Sequence, residues 1–131
     1  MTSGETTPSL NSSDELAHAI AQVALSKKAH DVTILDVRKQ TSITDFFIIC
    51  SGNSDVHVKA LCDSIQTELK PTSKPWHTEG VGNRRWILLD YVDVVVHIFL
   101  EEARDYYQLE RLWADAEIET VGETAVEDPE G

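Results

Sequence analysis

Residues 45–54, DFFIICSGNS, decide the fold class. Phe46, Ile48 and Cys50 make one alternating set and Phe47 and Ile49 the other, so a strand here is apolar on both faces. Such a strand belongs in the middle of a sheet that is covered, at least in part, on each side. Ser51-Gly52-Asn53-Ser54 then turns the chain, and Ser54 is a good helix N-cap. Val58, Leu61, Cys62, Ile65 and Leu69 follow at i, i+3, i+4, i+7 and i+11, one buried helical stripe that ends at Pro71 and Pro75. A central strand feeding an amphipathic helix predicts an α/β domain.

Working outward, residues 32–37 (VTILDV) read as a second strand. Before it, Ser12 and Glu15 have capping-box spacing, and Leu16, Ile20, Val23 and Ala24 recur at helical spacing. Downstream, residues 76–79 are a short extended piece that leads through a Gly80–Gly82–Asn83 loop. Residues 85–91 (RWILLDY) and 93–100 (DVVVHIFL) lie so close that they pair as an antiparallel hairpin. A last helix is expected over 103–116, with Tyr106, Leu109, Trp113 and Ala116 on one stripe. The order α-β-β-α-β-β-β-α describes a mixed β-sheet of about five strands flanked by helices. Residues 1–12 read as a disordered N-terminal arm, 13–116 as a single domain and 117–131 as an acidic, disordered tail.

Charge narrows the function. The chain has 131 residues, with 11 Lys and Arg against 23 Asp and Glu, net −12. Residues 1–100 are nearly balanced, with 12 acids and 9 bases, while 101–131 hold 11 acids and 2 bases. That balance excludes a strongly basic nucleic-acid binder, and direct DNA binding is not expected. Apolar runs fall far short of the ~20 residues that cross a bilayer. No secretory or transit segment is read before Leu16, and Cys50 and Cys62 read as buried thiols, so a cytoplasmic protein is expected.

Three constellations carry possible chemistry. Asp90, Asp93 and His97 could serve a metal-dependent nucleotidyltransferase-like enzyme, the alternative reading. A two-metal site wants carboxylates at i and i+2 on one face, which Asp90-Tyr91-Val92-Asp93 does not supply; a turn-capping Asp93 and a hydrogen-bonded Asp90 are expected instead. Ser51-Gly52 ahead of a helix lacks the lysine of a phosphate-binding loop. Cys50 with His57 could pair as nucleophile and base, but a thiol ending an apolar strand is quieted by burial. Neither cysteine has zinc-ligand spacing, and no metal or cofactor is expected.

Residues 85–91 are the most informative for function. Trp86, Leu88 and Asp90 form one set and Ile87, Leu89 and Tyr91 the other, and neither is polar throughout. The first two helices can cover one face of the sheet, whereas the third covers the other only partly. Either Trp86 is a core residue, or a strip with Trp86 and Leu88 beside an acid stays uncovered, the composition of a protein-binding site.

Several runs resemble the ribosomal silencing factor family (RsfS, also called Iojap). They are Asp36-Val37, Ser42-Ile43-Thr44-Asp45, Ile48-Ile49-Cys50-Ser51-Gly52, His57-Val58 and Glu79-Gly80, then Trp86, Asp90, Asp93-Val94-Val95-Val96-His97, Arg104, Tyr107, Leu109-Glu110 and Leu112-Trp113. In order and spacing the match covers about residues 15–115. The resemblance implies a nucleotidyltransferase-like α/β fold without the catalytic signature, and a binding function without catalysis. It implies docking on the large ribosomal subunit through large-subunit ribosomal protein fourteen, which blocks small-subunit joining and represses translation; an assembly role would use the same surface. On this chain, Trp86 and Leu88 would be the apolar anchors and Glu79 and Asp90 the acidic partners of Lys or Arg. A free chain could pair as a homodimer through the same strip. Two residues depart from the family: Val92 replaces a hairpin glycine, so another turn form is expected, and Val56 replaces an arginine before His57.

Overall fold

The computed structural model describes residues 12–121, with the side chains of residues 105–107 outside that description. Ser12 caps helix α1 (Ser13–Ser26), its hydroxyl accepting from the Glu15 N–H. Strands β1 (His30–Asp36) and β2 (Phe46–Gly52) follow. Helix α2 (Asp55–Leu69) is capped by Ser54, which accepts from the His57 N–H. Then come β3 (His77–Glu79), β4 (Trp86–Asp90) and β5 (Val94–Leu100), two short helices α3 (Glu101–Tyr107) and α4 (Leu109–Leu112), and β6 (Glu117–Thr120).

The mixed sheet has the order β3-β4-β5-β2-β1-β6. β2 and β5 run parallel at its centre, with Ile48 opposite Val96 and Cys50 opposite Ile98, and every other neighbouring pair is antiparallel. The doubly apolar strand is therefore central, as its alternation requires. Its Ile48 and Cys50 join Ile20, Leu61, Ile65, Leu89 and Val96 in the larger core under α1 and α2. On the opposite face Leu35, Val37, Ile49 and Phe99 pack against Ala103, Leu109 and Ala116.

Three expectations change. The helix expected over 103–116 is two helices, because Gln108 takes a left-handed conformation (φ 48°) that breaks the hydrogen-bond run. Glutamine is not a residue that signals this break. The Tyr106 side chain of the expected stripe lies outside the described residues.

A sixth strand lies inside the segment read as a tail. Glu117–Thr120 pairs antiparallel with β1, and Val121 is buried, its N–H donating to the Val32 carbonyl (2.9 Å). An edge strand needs backbone donors and acceptors more than apolar side chains, and all four residues of β6 are exposed. The remainder of the expected tail, residues 122–131, and residues 1–11 of the expected arm lie outside the described residues.

The turn between β4 and β5 keeps the glycine-like conformation at Val92, with φ 77°. The Asp93 N–H donates to the Tyr91 carbonyl (3.0 Å) across a tight turn, and the expected change of turn form does not occur.

Candidate functional site

The strand registers settle where the four expected site residues point. Trp86, Leu88 and Asp90 alternate along β4 and are half-buried, while Ile87 and Leu89 between them are sealed under α1 and α2. Glu79 pairs with Leu88 and His77 with Asp90, so both β3 side chains join the same face. From β5 the same face receives Val95, His97 and Phe99, opposite Asp90, Leu88 and Trp86 in turn. All four expected residues thus share one face, the one on which α3 and α4 lie.

Those two helices are short, and they cover only part of that face. Trp86 sits at the edge of their packing cluster, with Phe47, Leu100 and Trp113. The Trp86 ring stacks on Phe99 at 5.0 Å between centroids, and its indole N–H donates to His97 Nδ1 (3.0 Å). The indole is therefore neither sealed beneath a helix nor free, but half-open and fixed in orientation. Glu79 is exposed and pairs with His77 (2.8 Å).

Beyond the helices the face continues into a groove of about 350 Å³ lined by Ile43, Trp76, Asp90, Val92 and Val95. Ile43 is 83% exposed, Trp76 76% and Val92 53%. Contiguous exposed apolar side chains with one carboxylate at the margin have the composition of a protein contact. Ile43 and Trp76 were missing from the residues expected at the site. Ile43 lies in the polar break between strands and Trp76 sits between Pro75 and His77, outside every periodic run. The signal that could have found them is their size and apolarity in segments with no core to fill.

The enzyme-like constellations do not assemble. Asp90 Oδ1 accepts from the Val92 N–H (2.8 Å), so Asp90 caps the turn. Asp90 is thus hydrogen-bonded as expected, whereas the expected Asp93 cap is absent: Asp93 contributes backbone groups, its carbonyl accepting from the Asp45 and Phe46 N–H groups.

His97 is buried, and burial holds its pKa down at about 4. A neutral ring whose Nδ1 accepts from Trp86 carries its proton on Nε2, and that Nε2 finds no acceptor among the described residues. The lone pair that a metal or a proton would need is already engaged. Among the described residues no three His, Cys, Asp or Glu side chains gather as a metal-holding group.

Burial pushes the Cys50 thiol up to about 12. Both nitrogens of His57 are used, Nδ1 accepting from the Asn53 N–H (3.0 Å) and Nε2 donating to the Lys27 carbonyl (2.9 Å). No helix among the described residues is long and apolar enough to cross a membrane.

The comparisons with known proteins agree with this geometry. The family model described as ribosomal silencing factor during starvation matches residues 10–130. The ribosomal silencing factor RsfS of Bacillus subtilis is 41% identical over 91 residues, 69% of this chain and 77% of that protein. The RsfS of Halalkalibacterium halodurans is 39% identical over 110 residues, 80% of this chain and 91% of that one. A crystal structure of a Chromobacterium violaceum protein superposes with a TM-score of 0.75 at 34% identity, covering 86% of this chain and 94% of that one. With the motifs of strands β2, β4 and β5 in register on one mixed sheet, and a family model spanning nearly its whole length, this chain belongs to the ribosomal silencing factor family, RsfS.

Proposed function

We propose that this protein docks on the large ribosomal subunit through large-subunit ribosomal protein fourteen and, by occupying that surface, keeps the small subunit from joining. It acts by binding and carries out no reaction. The observation that carries this reading is the half-covered sheet face, where Trp86, Leu88 and Val95 make an apolar strip edged by Asp90 and Glu79. Ribosomal proteins are commonly basic, so a carboxylate rim suits one, and net charge −12 favours encounter with a cationic partner. Steric exclusion asks only that the domain fill space the other subunit must enter.

Leu88→Asp is the cleanest probe, because Leu88 is half-buried on this face and lies outside both core clusters. Trp86→Ala would also remove the stack on Phe99 and the bond to His97, so its effect mixes folding with docking. Titration of purified ribosomal protein fourteen should show Leu88→Asp at least ~10-fold weaker, the effect of about 1.4 kcal/mol at an apolar contact. Asp90→Asn, which retains an oxygen for the Val92 N–H, should weaken binding less and lower its salt dependence. Equal affinity of wild type and Leu88→Asp would remove this face from the interface.

A further inference from the structure

A second groove lies on the other side of Trp76, between the end of α2 and β3, and encloses about 460 Å³. Gln66, Lys70, Lys74, Trp76 and His77 line it, and no carboxylate does. That is unusual for a chain with 23 acids. Lys70 and Lys74 are the charged side chains of the groove, while Arg84, from the same basic stretch of sequence, pairs with Asp55 at the other end of α2.

Lys70 and Lys74 are exposed and make no ion pair among the described residues, whereas Lys27 and Lys59 pair with Glu68 and Asp63. Two ammonium groups are therefore available to an outside anion. The aromatic beside them is equally free to be covered. Trp76 is 76% exposed, yet its backbone is fixed, following Pro75 and donating its N–H to the Asp90 carbonyl at 2.7 Å. An exposed indole on a fixed backbone, lining one groove with two unpaired lysines, fits a ligand that carries both a flat apolar ring and a negative charge.

From this geometry we infer that the groove takes a single-stranded stretch of RNA, with Trp76 stacking on an unpaired base and Lys70 and Lys74 meeting its phosphates. Base stacking on an aromatic with lysines along the backbone is the general means of gripping unpaired nucleic acid. Duplex RNA fits less well, because its bases are already stacked on one another. The net charge of −12 does not forbid this contact, since screening confines the repulsion to about 8 Å at physiological ionic strength. It does keep the free protein a weak binder.

The inference rests on the docking reading above, because a large ribosomal subunit is built largely of RNA. Trp76 lines both grooves, so the protein contact and the RNA contact meet at one side chain.

The test is fluorescence anisotropy of a labelled single-stranded oligouridylate, titrated with the full chain from physiological ionic strength upward. The expected dissociation constant is about 10⁻⁴ M, the weak end of non-specific binding, with a slope of log affinity on log salt of about −1.4 for two phosphate contacts. Trp76→Ala should weaken binding about fivefold or more. The pair Lys70→Glu and Lys74→Glu should abolish it and remove the salt slope, with circular dichroism checking the fold of each variant. Absence of saturable binding by wild type, or equal binding by the charge-reversed pair, overturns the inference. So does equal binding of a polyglutamate peptide that is insensitive to Trp76→Ala, which would make the groove a site for acidic protein.

Leu88→Asp separates the two readings. It should retain oligouridylate binding while losing large-subunit co-sedimentation. If it still co-sediments, the docking face is wrong and the groove stands; if the charge-reversed pair still grips the oligonucleotide, the groove is wrong and the docking face stands.

Discussion

His97 shows how one residue can look catalytic and be structural. Its ring is packed among Phe47, Trp86 and Phe99, with Nδ1 engaged by the Trp86 indole. Burial lowers its pKa from 6.5 to about 4, so the folded state refuses a proton that the unfolded chain accepts. Above about pH 6.5 the group is neutral in both states. As pH falls from 6.5 towards 4 it withdraws stability, by about 3 kcal/mol in total. Denaturant melts across that range should show His97→Gln, which cannot titrate, losing less stability on acidification than wild type. Parallel curves would mean the imidazole is not held neutral.

Val92 makes the complementary point, a strained residue whose strain is local. A β-branched side chain at φ 77° is unfavourable, and at 53% exposure it buries little in return. Val92→Gly should raise stability by about 1 kcal/mol, relief of strain outweighing the added freedom of the unfolded chain. Thermal melting checks this, with a rise of a few degrees expected and a fall contradicting it. From sequence the substitution was visible, but not that the turn would keep its shape. The Asp90 cap is a local contact, but the bonds from the Asp45 and Phe46 N–H groups to the Asp93 carbonyl exist only once the start of β2 lies beside the turn.

At the scale of elements, legibility followed the physical signal. α1 and α2 could be read because a serine cap and an apolar stripe coincide in each, and β2 because both of its faces are apolar. The Gln108 break and β6 were not legible. One depends on a left-handed residue other than glycine, the other on backbone bonding to β1 by residues of tail-like composition.

The sixth strand also contributes to stability. Val121 joins the main core and Ala116 the second, so the end of the described chain bridges both layers. Val121→Ala should cost about 1 to 2 kcal/mol in equilibrium denaturation. Ile118→Ala, at a half-exposed position of β6, should cost less than half as much. A neutral Val121→Ala would show that this end of the chain is not anchored.

For the whole molecule, the layering leaves open the face on which the proposed docking rests. Two long helices seal one side of the sheet, while two short ones pack on only part of the other, over Ile49 and Phe99, and leave Leu88, Val95 and Trp86 half-exposed. That asymmetry was readable from the count of helices against doubly apolar strands. The groove at Ile43, Trp76 and Val92 was not, because three segments distant in sequence meet only in the folded sheet.

Charge acts at this scale too. With an acidic rim meeting a basic protein, large-subunit binding should weaken as salt rises from about 0.05 to 0.3 M. Sedimentation at several salt concentrations measures that trend, and an affinity flat in salt would remove acidic steering from the account.

The most direct measurement of the central claim is subunit joining itself. Purified large subunits are loaded with the protein, small subunits are added, and the products are resolved by sedimentation. Wild-type protein should ride with free large subunits and deplete joined ribosomes, while Leu88→Asp leaves joining intact. Wild-type protein found on large subunits with joining undiminished would contradict the account.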